Sequence, residues 1–426
     1  MQLHSIYQAY LKHPMVCIDT RKITLGCLFF ALKGPNFNGN AFAKEALEKG
    51  AQWVIIDEEQ HKVSEQCILV EDVLSCLQQL ATYHRKQLNI PFIAITGSNG
   101  KTTTKELITS VLKTSFKTVA TVGNLNNHIG VPLTLLSIHT DAQMAVIEMG
   151  ANHLHEIASY CEYALPNYGL ITNCGKAHLE GFGSEEGVKK GKGELFDFLR
   201  ANNGTAFIMS DYDYLQNMSK GISNVISYGT QSGTLQAKAS TANGFLQVNF
   251  TQGFEMDCIQ TQLVGEYNLP NILAAVSIGI YFKVPAEKIK AAIENYAPTN
   301  SRSQLLKWKE NDVILDAYNA NPSSMKLAIE NFAKLNAAHK IVCIGGMKEL
   351  GNTSIEEHQQ LIQLLQQSQW EQVVLVGGDF EHCQHDYLFF PTAADAKVWL
   401  AAQNFKGRSI LIKGSRGIKM EQVLDL

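Results

Sequence analysis

Apolar runs and the polar breaks between them divide the chain into three blocks. In residues 1–88, short apolar strands at 27–32, 53–56 and 68–70 are mixed with helix-period stretches such as 41–49. A further helical stretch, 73–87, runs up to Asn89-Ile90-Pro91, where the position before proline favours extended backbone. The second block, 89–298, opens with the apolar run 92–95 and continues with runs at 144–147, 168–171 and 206–209, separated by helical segments. That alternation predicts a mostly parallel sheet covered on both faces. Residues 231–264 break the rhythm: Leu246, Val248 and Phe250 alternate with polar neighbours and predict an antiparallel addition. A helix over 271–282 follows, and Ala297-Pro298-Thr299-Asn300-Ser301 reads as a linker. The third block, 299–426, predicts strands at 313–315, 341–344, 373–376 and 409–412 and helices at 324–335 and 355–366. It reads as a small Rossmann-like domain, although no Gly-x-Gly-x-x-Gly follows its first strand. The expected fold class is therefore α/β in three domains: a small α/β domain, a central parallel sheet and a Rossmann-like domain.

Composition narrows this picture. A chain of 426 residues is too long for one ordinary core, and 45% hydrophobic with 18% charged residues is globular composition. A formal net charge of -4 implies no basic face, so nucleic acid is not an expected partner. Residues 1–16 carry His4, Lys12 and His13 and lack the apolar core of a signal peptide. No apolar run approaches the roughly 18 residues that would span a bilayer, so membrane insertion is not expected. The nine cysteines are scattered, odd in number and form no Cys-x-x-Cys pair. A reducing cytoplasm fits that usage better than a disulfide framework or a zinc cage. A monomer is the expected state.

The candidate chemistry starts at the run 92–95. Gly97-Ser98-Asn99-Gly100-Lys101-Thr102 follows it almost at once, and a helix is predicted over 103–114. Glycines let backbone N–H groups converge on phosphate oxygens, and the helix N-terminus adds its positive dipole end. Lys101 would bridge the β and γ phosphates of ATP, and the Thr102 hydroxyl would ligate Mg²⁺. The generic pattern places a glycine five positions before Gly100, where this chain has Ile95. The flanking strand and helix therefore carry the assignment. Glu148 ends the run 144–147, where a strand's carboxyl end should meet the phosphate loop, and a carboxylate there suits Mg²⁺.

The segment from Thr96 to Thr103 resembles the variant phosphate loop of the Mur ligases, the ATP-dependent amide-forming enzymes of peptidoglycan assembly. Further segments agree in order: 123–132 (GNLNNHIGVP), 148–153 (EMGANH), 177–183 (AHLEGFG), 192–196 (KGELF), 316–322 (DAYNANP) and 346–351 (GMKELG). The combination is most similar to the branch that adds D-alanyl-D-alanine to a UDP-N-acetylmuramoyl tripeptide. The resemblance runs from Asp19 to Met420. It implies that ATP phosphorylates the tripeptide's terminal carboxylate and that the dipeptide amine attacks the acyl phosphate. Two Mg²⁺ ions, and domain closure on ATP, are also implied.

The resemblance also implies roles residue by residue. Lys101, His178 and Lys192 are the catalytic candidates. Gly97, Ser98, Asn99, Gly100, Thr102 and Thr103 would hold the phosphates, and Thr102, Glu148 and His178 the metal. A loop histidine on its own is as readily a solvated surface residue; the family pattern makes His178 a second-metal ligand. Lys192 resembles a lysine carried as a carbamate, although periodicity does not choose it over Lys189 and Lys190. Asn268 and Asn271 resemble the adenine-side segment, and helix capping is the alternative. Arg302 resembles an arginine that reaches the ATP phosphates, with Asp316, Tyr318 and Asn319 at a strand end facing the same cleft. Lys413 and Arg416 could hold a substrate carboxylate or phosphate, or form a solvated turn. Thr20 and Arg21 resemble a segment that contacts the UDP part, and Asn126 and Asn127 would line the substrate cleft. Asn38 and Asn40 depart from the family pattern, which has Asp and His there. Alternatives are the ligase adding the third amino acid, folylpolyglutamate synthase, and a non-catalytic nucleotide switch. An acceptor motif of Asp-Asn-Pro-Arg type is absent, block 1–88 supplies a candidate UDP-binding domain, and Glu148, His178 and Lys192 argue against a switch.

Overall fold

A computed structural model describes residues 2–242 and 244–424; Met1, Asn243, Asp425 and Leu426 lie outside the described residues. Three principal sheets carry the chain, with a small hairpin, Lys33–Gly34 against Phe37–Asn38, beside the first.

The first sheet has four parallel strands in chain order: Val16–Cys17, Leu28–Phe30, Trp53–Ile56 and Cys67–Leu69. Successive side chains of a strand point to opposite faces, and the two faces here enter different cores. Phe29, Val54 and Ile56 pack with Ala43 and Ala46 of the helix Ala43–Glu48. Leu28, Phe30 and Ile55 join the core of the central sheet instead. The expected strand at 27–32 is three residues long, because the backbone turns at Ala31–Leu32 into the hairpin. Two helices, Gln2–Lys12 and Val73–Arg85, seat this unit on the central one. The Tyr10 hydroxyl donates to the Leu136 carbonyl at 2.6 Å, and buried Arg85 donates to the carbonyls of Ala164 and Leu165, both at 2.8 Å. The first of these helices was not foreseen; Ile6, Tyr7 and Tyr10 form its buried face.

The central sheet has nine strands. From one edge the order is Cys258–Gln260, Phe245–Gln252, Leu235–Ala242, Asn224–Gly229, Thr205–Met209, Tyr168–Ile171, Phe92–Thr96, Met144–Glu148 and Thr118–Ala120. The first two pairings are antiparallel, which is the addition expected in 231–264, and the other six are parallel. The strand Phe92–Thr96 is buried along its whole length, as a strand covered on both faces should be. The chain leaves it outward to Thr118–Ala120, returns to Met144–Glu148, then crosses to Tyr168–Ile171 on the other side. The strand order therefore reverses around Phe92–Thr96, which opens a crevice at the strands' carboxyl ends.

The third sheet has six strands in the order Gln304–Trp308, Asn311–Asp316, Ser409–Lys413, Lys340–Gly345, Gln372–Val376 and Leu388–Phe390. Only its first pairing is antiparallel. Ile314, Val342 and Ile344 face one core, and Val313, Ile341 and Cys343 the other. The strands Gln304–Trp308 and Leu388–Phe390 and the helix Ala393–Ala402 were not foreseen. All nine cysteines are free thiols. Among the described residues no helix is long and apolar enough to cross a membrane.

Candidate functional site

The phosphate loop connects Phe92–Thr96 to the helix Lys101–Lys113. Gly97 (φ 143°) and Gly100 (φ 80°) hold backbone conformations that L side chains rarely adopt. A Cβ on Gly97 would lie 2.0 Å from the Thr172 hydroxyl, and one on Gly100 would lie 2.6 Å from Asn271 Oδ1. The loop is pinned from the neighbouring strand end: the N–H of Ser98 donates to the Asn173 carbonyl and that of Asn99 to Asn173 Oδ1. The Thr172 hydroxyl donates to the Asn99 carbonyl at 2.6 Å. Lys101 folds over the loop, donating to the carbonyls of Gly97 (2.6 Å) and Ser98 (3.2 Å). Desolvation lowers its pKa to about 8, with Arg302 adding to the shift and Glu148 opposing it.

Glu148 sits at the carboxyl end of the adjacent strand with 1% of its surface exposed. Its Oε1 accepts from the Thr102 hydroxyl (3.1 Å) and from Asn126 Nδ2 (2.8 Å). Its Oε2 is buried and has no hydrogen-bond partner. The nearest cation is the buried Lys105 ammonium, 3.8 Å from that oxygen. A buried carboxylate oxygen left open beside a threonine hydroxyl is a donor set that fits a divalent cation.

Lys192 lies in the helix Glu185–Ala201 and is fully buried. Its amine donates to the Ala151 carbonyl at 2.8 Å and sits 4.9 Å from the Phe182 ring centre. Burial lowers its pKa to about 7, with the Lys101 charge adding to the shift. Lys189 is half-buried and Lys190 exposed, so of the three lysines the structure singles out Lys192.

The third sheet closes the cleft from across. Loops after Asn311–Asp316, Lys340–Gly345 and Ser409–Lys413 bring Asn319, Lys348, Glu349 and Arg416 to face Ser98–Thr102, Asn126 and Glu148. The space between is about 400 Å³. Arg302 stacks on the Tyr318 ring, 3.7 Å from its centre, and its buried Nε has no partner. Arg416 flanks the same ring at 5.3 Å. Asn321 Nδ2 donates to Asn99 Oδ1 at 2.8 Å, and Lys176 bonds to Glu357 at 2.8 Å, so the third unit is already docked on the loop. Across the cleft, the imidazole of His178 (φ 52°) lies against the carboxylate of Glu349 (φ 63°) through Nδ1, a close contact without hydrogen-bond geometry, and that histidine holds the carboxyl below its ordinary range. Among the described residues no cluster of three His, Cys, Asp or Glu side chains forms a ready metal cage.

A second hollow opens behind the loop, lined by Thr103, Asn268, Asn271, Asp316 and Lys413 among others. Asn271 Nδ2 donates to Asn268 Oδ1 at 2.9 Å, and Asn271 Oδ1 accepts from Thr104 at 3.0 Å. Neither asparagine caps the helix Leu269–Tyr281 by a side-chain hydrogen bond. Lys413 is no solvated turn residue: it is buried and ion-paired with Asp316 at 2.5 Å. Asn127 is exposed and its Oδ1 accepts from the N–H groups of Ile129 and Gly130.

Thr20 and Arg21 stand apart from both hollows, on a short turn of the first unit where exposed Arg21 pairs with Asp19 at 2.7 Å. The departures at Asn38 and Asn40 have a local purpose. Asn38 Oδ1 accepts from Asn40, and Asn40 bonds to Asp57 through both its amide nitrogen (2.8 Å) and its oxygen (3.0 Å). Lys105, Thr172, Asn173, Asn321 and Glu349 escaped notice as site residues. Asn321 lies within the segment 316–322 and Glu349 within 346–351, and Lys105 follows Lys101 by one helical turn, which is the signal the sequence offers.

Family models place this architecture. "Mur ligase family, catalytic domain" matches residues 13–85, "Mur ligase middle domain" 95–279 and "Mur ligase, glutamate ligase domain" 301–416. The chain belongs to the Mur ligase family. It is 34% identical to a Bacillus subtilis protein named UDP-N-acetylmuramoyl-tripeptide–D-alanyl-D-alanine ligase, over 96% of this chain and 92% of that one. A Haemophilus influenzae protein of the same name is 35% identical over 100% and 97% of the two chains. Among solved structures, MurF from Acinetobacter baumannii matches with a TM-score of 0.86 at 30% identity, over 96% of this chain and 92% of that one. MurF from Thermotoga maritima in complex with ADP matches with a TM-score of 0.86 at 27% identity, over 96% of each chain. In this Mur ligase, then, the loop, Glu148 and Arg302 line one cleft, and Lys192 lies buried behind its wall, bonded to Ala151.

Proposed function

We propose that the protein joins D-alanyl-D-alanine to the terminal carboxylate of a UDP-N-acetylmuramoyl tripeptide, converting ATP to ADP and phosphate, in the cytoplasmic assembly of peptidoglycan precursors. Near full-length likeness to relatives of that name carries the reading, and the cleft supports it. A carboxylate oxygen of the tripeptide attacks the γ-phosphorus of ATP, and ADP leaves. The neutral dipeptide amine then attacks the acyl carbon, phosphate departs with one of the original carboxylate oxygens, and the nitrogen loses a proton to water. Such chemistry depends on positioning and on charge neutralisation at the transferring group.

The N–H groups of Gly100 to Thr103, at the helix N-terminus, cradle the phosphates, while those of Ser98 and Asn99 stay on Asn173 and hold the loop's shape, and Lys101 leaves the loop carbonyls to bridge the β and γ positions. Arg302 supplies a second cation from across the cleft, through a guanidinium whose Nε is unpaired. Asn268, Asn271, Asp316 and Tyr318 hold the nucleoside. Thr102 and Glu148 would hold one Mg²⁺, which would offset phosphate charge. His178, which lies against Glu349 here, would be the side chain offered to a second. Lys192 has the lowered pKa that leaves an amine free to add CO₂ and lose a proton, and the resulting carbamate anion would support bound Mg²⁺. Thr20 and Arg21 take the UDP end, Asn126, Asn127, Asn319 and Arg416 border the peptide, and Lys413 holds Asp316 in the second hollow instead of meeting the peptide. Residues 1–88, 89–298 and 299–426 thus act as UDP-substrate, ATP and acceptor domains, in a protein that works as a monomer without membrane or nucleic-acid partners.

An amide-forming assay tests this. Wild-type protein with ATP, UDP-muramoyl tripeptide and D-alanyl-D-alanine should release phosphate and a pentapeptide product, detected by mass. Turnover with UDP-muramoyl dipeptide and a single amino acid, but not with tripeptide, would reassign it to another branch of the family.

A further inference from the structure

Two charged residues one turn into the phosphate-loop helix have no part in the chemistry above. Lys105 is buried, with 4% of its surface exposed. Its ammonium lies 3.8 Å from Glu148 Oε2 and 3.9 Å from Glu106 Oε1. Burying an ammonium is costly, and an apolar side chain of similar volume would serve stability as well or better. Its position makes sense through its neighbours: Glu148 Oε2 has no hydrogen-bond partner, so Lys105 is the charge that faces it.

Glu106 points the other way, to the linker. It accepts from the Tyr296 hydroxyl at 2.6 Å and from Asn300 Nδ2 at 3.1 and 3.3 Å. Burial raises the Tyr296 pKa above its ordinary value, and the Glu106 charge adds to that shift, so the phenol remains a donor. Asn300 is two residues before Arg302, and the intervening Ser301 is held at φ 55° with its carbonyl accepting from the Tyr318 N–H at 3.2 Å. The linker is therefore fixed at both ends of this short stretch: by Glu106 on the central unit and by Tyr318 beneath the Arg302 guanidinium.

We propose that Lys105 and Glu106 are positioning residues that tie the two halves of the site together, Lys105 holding the Glu148 carboxylate and Glu106 holding the linker that presents Arg302. This rests on the reading of the cleft as an ATP site with Glu148 as a cation ligand. Adjacent residues on one helical turn thus make the arginine's arrival and the carboxylate's placement a single arrangement.

The test measures ADP binding by calorimetry with and without Mg²⁺, and hydrogen exchange of the 297–303 segment in nucleotide-free protein. Lys105→Met should leave metal-free ADP binding near wild type and cut the Mg²⁺-dependent tightening by about 10-fold, as loss of a residue behind a metal ligand does. Glu106→Ala should speed exchange of the linker amides and weaken ADP binding by about 10-fold in both conditions. Glu106→Gln, which keeps an acceptor for Tyr296 and Asn300, should recover most of that loss. The double variant should lose less than the product of the single losses, because the two act as a unit. Wild-type Mg²⁺ dependence in Lys105→Met, with unchanged exchange in Glu106→Ala and only a lower melting temperature, would reduce both residues to structural parts and overturn the proposal. Wild-type protein that binds no ADP would overturn the nucleotide reading, and this inference with it.

Discussion

The phosphate-loop cleft and the loops of the first unit are both rich in polar side chains, yet they use them differently. In the first unit, Asn38, Asn40 and Asp57 satisfy one another, and Arg21 closes on Asp19. In the cleft, Glu148 Oε2 and Arg302 Nε are buried with no hydrogen-bond partner. Buried polar groups in native proteins are nearly always hydrogen-bonded, and these two, on opposite walls of the cleft, leave acceptor and donor capacity that a ligand can take. In the first unit the polar residues complete one another and hold a shape; in the cleft these two are left open to a ligand.

That contrast can be broken by substitution. The largest effect is expected at the loop: Lys101→Ala should lower kcat/KM by about 100-fold or more, read by phosphate release, as loss of a donor to developing charge does. A Lys101→Ala protein with wild-type turnover would remove the loop from the chemistry.

Next comes Lys192. Lys192→Met should cut turnover by roughly 10- to 100-fold, the usual result of losing support for a metal site. Its stability should move the other way. The folded pKa of about 7 lies below the unfolded value, so between those values the unfolded chain binds more protons. Stability of the ligand-free protein should therefore rise as pH increases from about 7 towards the ordinary lysine range, with Lys101, lowered to about 8, contributing in the same direction. Lys192→Met should flatten that rise in melting temperature; an unaltered slope would contradict the assignment.

Much of this was legible in the chain. The strands Trp53–Ile56 and Tyr168–Ile171 fall where their apolar runs place them, because buried parallel strands read as unbroken apolar segments. Gly97 and Gly100 were visible because the backbone there tolerates little else. What escaped is long-range. The helix Gln2–Lys12 owes its place to Tyr10 reaching Leu136, and the edge strand Gln304–Trp308 to pairing with Asn311–Asp316. The Lys413–Asp316 pair spans two strands, so the sequence alone left Lys413 between a substrate contact and a solvated turn. The contact of His178 with Glu349 joins two sheets and had no local signal.

Smaller effects sharpen the contrast. Arg302→Ala should raise KM for ATP by about 10-fold, the scale of one hydrogen bond to a charged group, with a smaller change in KM for the dipeptide. In the first unit, Asn40→Ala should cost about 1–3 kcal/mol by leaving Asp57 short of a partner, and should leave kcat unchanged. A loss of kcat without loss of stability there would erase the distinction between the two regions.

The central claim is that ATP activates a carboxylate by phosphorylating it. It is tested most directly by labelling the tripeptide's terminal carboxylate with ¹⁸O and analysing the phosphate released during ligation to D-alanyl-D-alanine. Phosphorylation of the carboxylate requires one ¹⁸O in each phosphate and one fewer in the peptide product. Unlabelled phosphate, with amide still formed, would contradict it.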